Sequence, residues 1–163
     1  MLSKFLLRSD LPVIAFIAIG SNLGDSRGFV NKAIHELSAA NGVRLINQSP
    51  LYRSKPYQAI GEDYVNAVIK VETLLNAEDL LQLMLCIELE HGRLRSSVNA
   101  PRTLDLDLIF FGSSSIDSPR LKVPHPRWQE RSFVLLPLKF IASELVTDEM
   151  LEKVQVQEIN LIE

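Results

Sequence analysis

Two aspartates spaced by one residue, Asp105 and Asp107, stand inside the otherwise apolar run "TLDLDLIFFG" at 103–112. Successive side chains of a strand point to opposite faces, so both carboxylates share one face, roughly 7 Å apart, and Leu104, Leu106 and Leu108 share the other. Aspartate is a poor strand former, and like charges this close repel, so the spacing demands something positive between them. A divalent cation is one answer, because Mg²⁺ takes one or two carboxylates plus phosphate oxygens. An arginine is another, and Arg102 lies three residues before Asp105. Taken alone, the pair fits a structural ion pair as well as it fits a metal site.

The surroundings of the pair are basic although the whole chain is acidic. From Gly92 to Arg131 there are seven Lys/Arg (Arg93, Arg95, Arg102, Arg120, Lys122, Arg127 and Arg131) against four acids, and the stretch adds His125 and Trp128. Guanidinium forks hold phosphate bidentately, so carboxylates among arginines point to Mg²⁺ and a polyphosphate, with two metals about 4 Å apart as one arrangement. Each piece also has a plainer reading. Loop arginines are mostly solvated, His125 between two prolines shapes a turn, and Asn66 on the polar side of a strand is a surface or turn contact. The glycine-rich "GSNLG" at 20–24 lacks the Gly-Lys-Ser/Thr ending of a phosphate loop and reads as a strand-to-helix turn. His35 and His91 fall on other elements, so the histidines form no metal cluster.

The elements that must position these residues follow from periodicity. "VIAFIAI" (13–19) reads as a buried strand. Asp25 caps a helix over 26–40, with Val30, Ile34 and Leu37 on one face, and "NG" at 41–42 stops it. Residues 43–53 read as a second strand, 54–63 as a loop, and "YVNAVIKVET" (64–73) as a third strand with alternating burial. Asn76 and Asp79 open an amphipathic helix that Gly92 ends; a polar loop, 92–102, leads to the aspartate strand, 103–111. The order strand, helix, strand, strand, helix, strand is the ferredoxin-like βαββαβ pattern, an α+β fold with an antiparallel sheet and helices on one face. A hairpin and a helical extension follow Gly112.

Bulk properties narrow the class. The chain has 163 residues, 47% of them hydrophobic, which suits a single domain over 13–163 behind a loose leader of 1–12. A net charge of −3 and a pI near 5.7 give no general attraction to nucleic acid or anionic lipid. Arg8, Asp10 and Pro12 interrupt the N-terminal apolar stretch, which is too short to span a bilayer. The expectation is a cytoplasmic protein without a membrane partner. The single cysteine, Cys86, lies in an apolar run and is expected to be buried and inert.

Four blocks, in order, resemble the 6-hydroxymethyl-7,8-dihydropterin pyrophosphokinase family of folate biosynthesis: "IAIGSNLGD" (17–25), "SPLYRSKPY…DYVNAVIKVET" (49–73), "IELEHGRLR…APRTLDLDLIFFG" (87–112) and "VPHPRWQERSFVLLPL" (123–138). The resemblance implies transfer of diphosphate from ATP to the pterin hydroxymethyl group, releasing AMP. By motif, Asp105 and Asp107 would hold two Mg²⁺. Arg93 and Arg95 match mobile-loop arginines that reach the phosphates, Arg102 one near both substrates, and His125 and Arg131 further phosphate contacts. Leu81, Glu88 and Leu108 fall where the family builds its nucleotide pocket, with Arg120 and Leu121 beside it. Tyr64 and Phe133 match the aromatic pair around the pterin ring; Asn66 and the backbone from Ser54 through Lys55 to Tyr57 would meet its polar edge. The family's partners are small molecules, and the resemblance implies a monomer.

The chain departs from the family pattern in places. The loop before "PR" reads "SSVNA", with Asn99 where an aromatic often covers the pterin, and Leu85 stands where a polar adenine contact is common. Two rival readings stand beside the enzyme: a non-catalytic ATP/Mg²⁺-binding module of the same fold, and a nucleic-acid-binding ferredoxin-like domain. The latter stacks bases on sheet aromatics, of which the third strand offers only Tyr64.

Overall fold

A run as apolar as residues 13–19 can be buried on both faces only inside a sheet, and β1 (Val13–Ser21) lies there, flanked on both sides. The computed structural model describes residues 11–58, 60–92 and 103–162; of the expected leader, residues 1–10 lie outside them. α1 (Ser26–Ala39) starts where Asp25 accepts a hydrogen bond from the Gly28 amide at 3.0 Å. Then come β2 (Val43–Gln48), β3 (Tyr52–Ser54) and β4 (Tyr64–Thr73). α2 (Ala77–Glu90) is capped by Asn76, whose Oδ1 accepts from the Asp79 amide at 2.8 Å. β5 (Asp105–Phe111) is the aspartate strand.

The sheet order is β5-β1-β4-β3, with β2 also on β4, and every pairing is antiparallel. With its two helices this is the ferredoxin-like α+β arrangement. β6 (Ile116–Asp117) and β7 (Lys122–Val123) form the expected hairpin. α3 (Ser132–Ile141) and α4 (Asp148–Val154) are the helical extension, and β8 (Ile159–Leu161) adds a further strand beside β3. Among the described residues no helix is long and apolar enough to cross a membrane.

Several expectations are corrected. The expected single strand at 43–53 is two strands, because Pro50 has no N–H to give a ladder. At the break the Val68 amide donates to Ser49 Oγ at 3.0 Å instead. The aspartate strand begins at Asp105, not 103. Cys86 is half-buried rather than buried.

The helices occupy both faces of the sheet. α1 and α2 cover one, over a core that includes Ile17, Ile69, Leu83, Leu106 and Leu108. α3 and α4 cover the other, where Val134, Leu135 and Leu138 pack on Phe16, Val68 and Ile109. β4 is therefore buried on both faces, Asn66 and Val68 included, rather than alternating. A register shift between Phe16 and Ile17 on β1, opposite Leu108 to Phe110 on β5, marks a bulge at Ile109. It lets Ile109 and Phe110 both face α3, and Phe110 sits edge-on to Phe16 and to Trp128, with centroids 6.1 and 5.0 Å away.

Candidate active site

The site is the part of the second sheet face that α3 leaves open. Ladder partners share a face, so the register builds its floor row by row. Gly20 on β1 lies between Asp105 on β5 and Asn66 on β4; one row along, Ala18 lies between Asp107 and Val68. Small residues on the central strand leave a cleft between carboxylates on one side and Tyr64 and Asn66 on the other. Tyr57, Arg131 and Phe133 complete its walls.

Several of the polar groups are held by neighbours. Asn66 is 2% exposed, and its Nδ2 donates to Ser54 Oγ at 2.8 Å. Its Oδ1 lies 3.3 Å from where a Cβ on Gly20 would stand, so Gly20 permits the close approach. The plain reading of Asn66 as a surface contact is thus overturned: a buried amide with a fixed rotamer offers a defined hydrogen-bonding edge. The sequence pattern puts Gly20 in a turn, whereas it lies within β1; a glycine within a buried strand is itself a signal of close approach.

On the carboxylate side Arg131 Nη1 donates to Asp107 Oδ2 at 3.3 Å, and His125 Nε2 lies 4.0 Å from Asp107 Oδ1. The positive partner that the aspartate spacing demands is, in the described residues, Arg131. His125 is set by its own amide, which donates to the Ile109 carbonyl at 2.9 Å, tying the segment to the bulge of β5. Its Nδ1 accepts from the Arg127 amide at 3.1 Å, which assigns the neutral tautomer with the proton on Nε2. Burial, then the Arg131 charge, pushes the His125 pKa down to about 4, against the opposing pull of Asp105. The ring is therefore a neutral hydrogen-bond donor at physiological pH.

The aromatic wall is clasped from outside. Arg127 Nη2 donates to Gln58 Oε1 at 2.7 Å and its guanidinium lies 6.0 Å from the Tyr57 ring centroid. Asn22, buried in the "GSNLG" turn, donates through Nδ2 to the Glu62 carbonyl at 3.2 Å. The sequence marks Arg127 only as one of the basic residues of 92–131 and Asn22 only as part of a turn, because their partners are distant in the chain.

The remaining expected residues fall in two groups. Leu81, Glu88, Leu108, Arg120 and Leu121 gather on the α2 side of β5, not in the cleft. Glu88 is buried, and its Oε1 accepts from the Leu106 amide at 2.8 Å, satisfying an edge-strand donor. Leu108 and Leu121 are core, with Leu81 packed against it, and exposed Arg120 bonds Gln82 at 3.4 Å. Lys55 turns its side chain to Asp63 at 3.2 Å, and its amide donates to the Glu158 carbonyl at 3.1 Å. The Lys55 amide is thus engaged with the tail. Arg93, Arg95, Asn99 and Arg102 lie outside the described residues.

Comparisons with known proteins match most of the chain. The family described as 7,8-dihydro-6-hydroxymethylpterin-pyrophosphokinase (HPPK) matches residues 16–143. A 2-amino-4-hydroxy-6-hydroxymethyldihydropteridine pyrophosphokinase of Pseudomonas aeruginosa is 43% identical over 131 residues, 80% of this chain and 81% of that protein. One from Synechocystis is 39% identical over 132 residues, covering 81% and 68%. The folic acid synthesis protein fol1 of Pneumocystis carinii is 44% identical over 132 residues, 80% of this chain but 18% of that protein. Among solved structures, an HPPK-DHPS in complex with substrates superposes with a TM-score of 0.67 at 12% identity, covering 89% of this chain. The chain spans 43% of that solved chain's length, and at this identity the likeness speaks for the fold alone.

Proposed function

The chain belongs to the 7,8-dihydro-6-hydroxymethylpterin-pyrophosphokinase family, and on that premise we propose that it transfers diphosphate from ATP to the hydroxymethyl group of 6-hydroxymethyl-7,8-dihydropterin, giving AMP and the pterin diphosphate. One observation carries the reading. A single cleft joins paired carboxylates and Arg131 to an aromatic wall and a buried amide. A flat heterocycle needs π-faces and a few fixed polar groups; a phosphate chain needs charge.

The donor set fits Mg²⁺: Asp105 and Asp107 are hard oxygen ligands facing the cleft from one side of β5. They would hold two ions, which when bound neutralise phosphate charge and lower the pKa of the attacking hydroxyl. The chain's own residues do the rest. Arg131 and the neutral His125 present donors to phosphate oxygens, and by the family resemblance Arg93, Arg95 and Arg102 are assigned to the same phosphates. Asn66, fixed by Ser54, orients the pterin between Tyr64 and Phe133, with the Tyr57 segment along its edge. On this reading the nucleoside end of ATP lies along the α2 side of β5, against Leu81 and exposed Arg120, with buried Glu88, Leu108 and Leu121 forming the wall behind them. None of the described side chains is placed as a general base, consistent with catalysis by positioning and charge neutralisation. The enzyme acts as a monomer on small molecules. Against the nucleic-acid reading, the sheet face such domains leave open is half covered by α3.

Incubation with ATP, Mg²⁺ and the pterin should yield AMP and pterin diphosphate in equal amounts by chromatography. Appearance of ADP, or no pterin-dependent loss of ATP, overturns the assignment.

A further inference from the structure

The family match ends at residue 143, yet the segment after α4 reaches both walls of the cleft. On one side β8 pairs with β3, Ser54 opposite Ile159, and so braces the strand whose hydroxyl holds Asn66. On the other side Gln157 places its carboxamide against the start of α3. Its Oε1 accepts from the Ser132 amide at 2.9 Å and its Nε2 donates to the Glu130 carbonyl at 2.7 Å.

These two backbone groups flank Arg131. α3 begins without a side-chain cap of its own, since the residue at the cap position is Arg131 itself. An uncapped first turn leaves amides needing partners, and here the partner comes from 25 residues further along the chain. A primary amide suits the task because it both donates and accepts. Bonded on either side, the Arg131 backbone is held at φ −120 and ψ 110. Its guanidinium then lies 3.3 Å from Asp107 and 5.6 Å from the Phe133 ring.

We propose that Gln157 is a positioning residue of the active site: through its two backbone hydrogen bonds it sets Arg131 against Asp107 and Phe133 at the cleft wall. It does not line the cleft itself. The kinetic part of this inference rests on the reaction proposed above; the geometric part does not.

Three proteins decide it: the unsubstituted chain, Gln157→Ala, and Gln157→Glu, which keeps an acceptor for Ser132 but has no donor for Glu130. Three quantities are read: kcat/KM for AMP formation, the thermal midpoint, and the rate at which phenylglyoxal labels Arg131, followed by mass spectrometry without substrates. Gln157→Ala should lower kcat/KM by about tenfold or more, the order expected when a reacting group loses its placement. It should remain folded at the assay temperature and label Arg131 severalfold faster. Gln157→Glu should fall between, and decides the matter if the alanine variant does not fold. Unchanged labelling, or activity lost only in proportion to unfolded protein, reduces Gln157 to a tether for the tail and overturns the proposal. If the unsubstituted chain makes no AMP, the assigned reaction fails while the labelling rates still decide for or against Gln157.

Discussion

The second face of the sheet has two halves built from the same three strands. In one, Phe16, Val68 and Ile109 lie dry beneath Val134, Leu135 and Leu138. In the other, Gly20, Asn66, Asp105 and Asp107 line an open cleft. Residues of both halves alternate along β5, β1 and β4 with the same period, so secondary structure does not separate them. Side-chain size does: β1 runs from Phe16 through Ala18 to Gly20. The start of α3 marks the border, with Phe133 on the cleft and Val134 in the core. The bulge at Ile109 marks it on β5, where His125 is tied to the ladder. A site can thus be made by withholding cover from part of a face, while the covered part supplies rigidity.

If the halves divide labour this way, substitutions in them should exchange their effects. Asp105→Asn and Asp107→Asn should each lower turnover by at least about a hundredfold, more than 2.7 kcal/mol of transition-state stabilisation. Chelation of Mg²⁺ should do the same, and the thermal midpoint should move little. Leu135→Ala, from a fully buried position, should instead cost about 2–5 kcal/mol of stability with kcat unchanged. Near-normal turnover in either aspartate variant at saturating Mg²⁺ returns the pair to a structural ion pair. A fall in kcat for folded Leu135→Ala breaks the division itself.

A sharper version tests the floor. A Cβ on Gly20 would meet Asn66 Oδ1 at 3.3 Å and Tyr64 Cδ1 at 3.7 Å, so Gly20→Ala pushes on the pterin subsite and not on the carboxylates. The dissociation constant of the pterin should rise by roughly tenfold, about 1.4 kcal/mol of binding, while that of an ATP analogue holds. Calorimetric titration with each ligand reads both. Equal weakening of the two would mean that Gly20 supports the sheet generally rather than the Asn66 amide.

Local chemistry made most of the frame legible. The caps at Asp25 and Asn76 form as read, because each hydrogen bond closes within three residues. The shared face of Asp105 and Asp107 follows from strand alternation alone. What escaped was set by distant partners or by sums of small preferences. Whether Asn66 is surface or buried depends on α3, some seventy residues on. The break at Ser49–Pro50 was marked by a proline inside a run otherwise rich in strand formers. Gln157 has no local role that would single it out, since both its partners lie more than twenty residues earlier. The periodicity of the second helical layer marks it as an extension, but nothing in it says which face of the sheet it covers.

The smallest expected effect concerns pH, on the border between the halves. His125 in the folded chain has a pKa of about 4, lowered first by burial and then by Arg131, against the usual 6.5 in the unfolded chain. Between these values the unfolded chain binds more protons, so stability falls as the pH falls. The neutral ring's full contribution is present above about pH 6.5 and is lost progressively towards pH 4. His125→Asn keeps an acceptor for the Arg127 amide but cannot titrate. In the metal-free protein, the thermal midpoint of the natural chain should therefore drop further between pH 7 and pH 5 than that of His125→Asn, by a few degrees at most. The comparison is between the two slopes, because the carboxylates titrate in both proteins and cancel. Parallel slopes would mean that His125 is as easily protonated in the fold as outside it. The cleft would then carry a positive charge at mildly acid pH, and the neutral donor assigned beside Asp107 would be wrong.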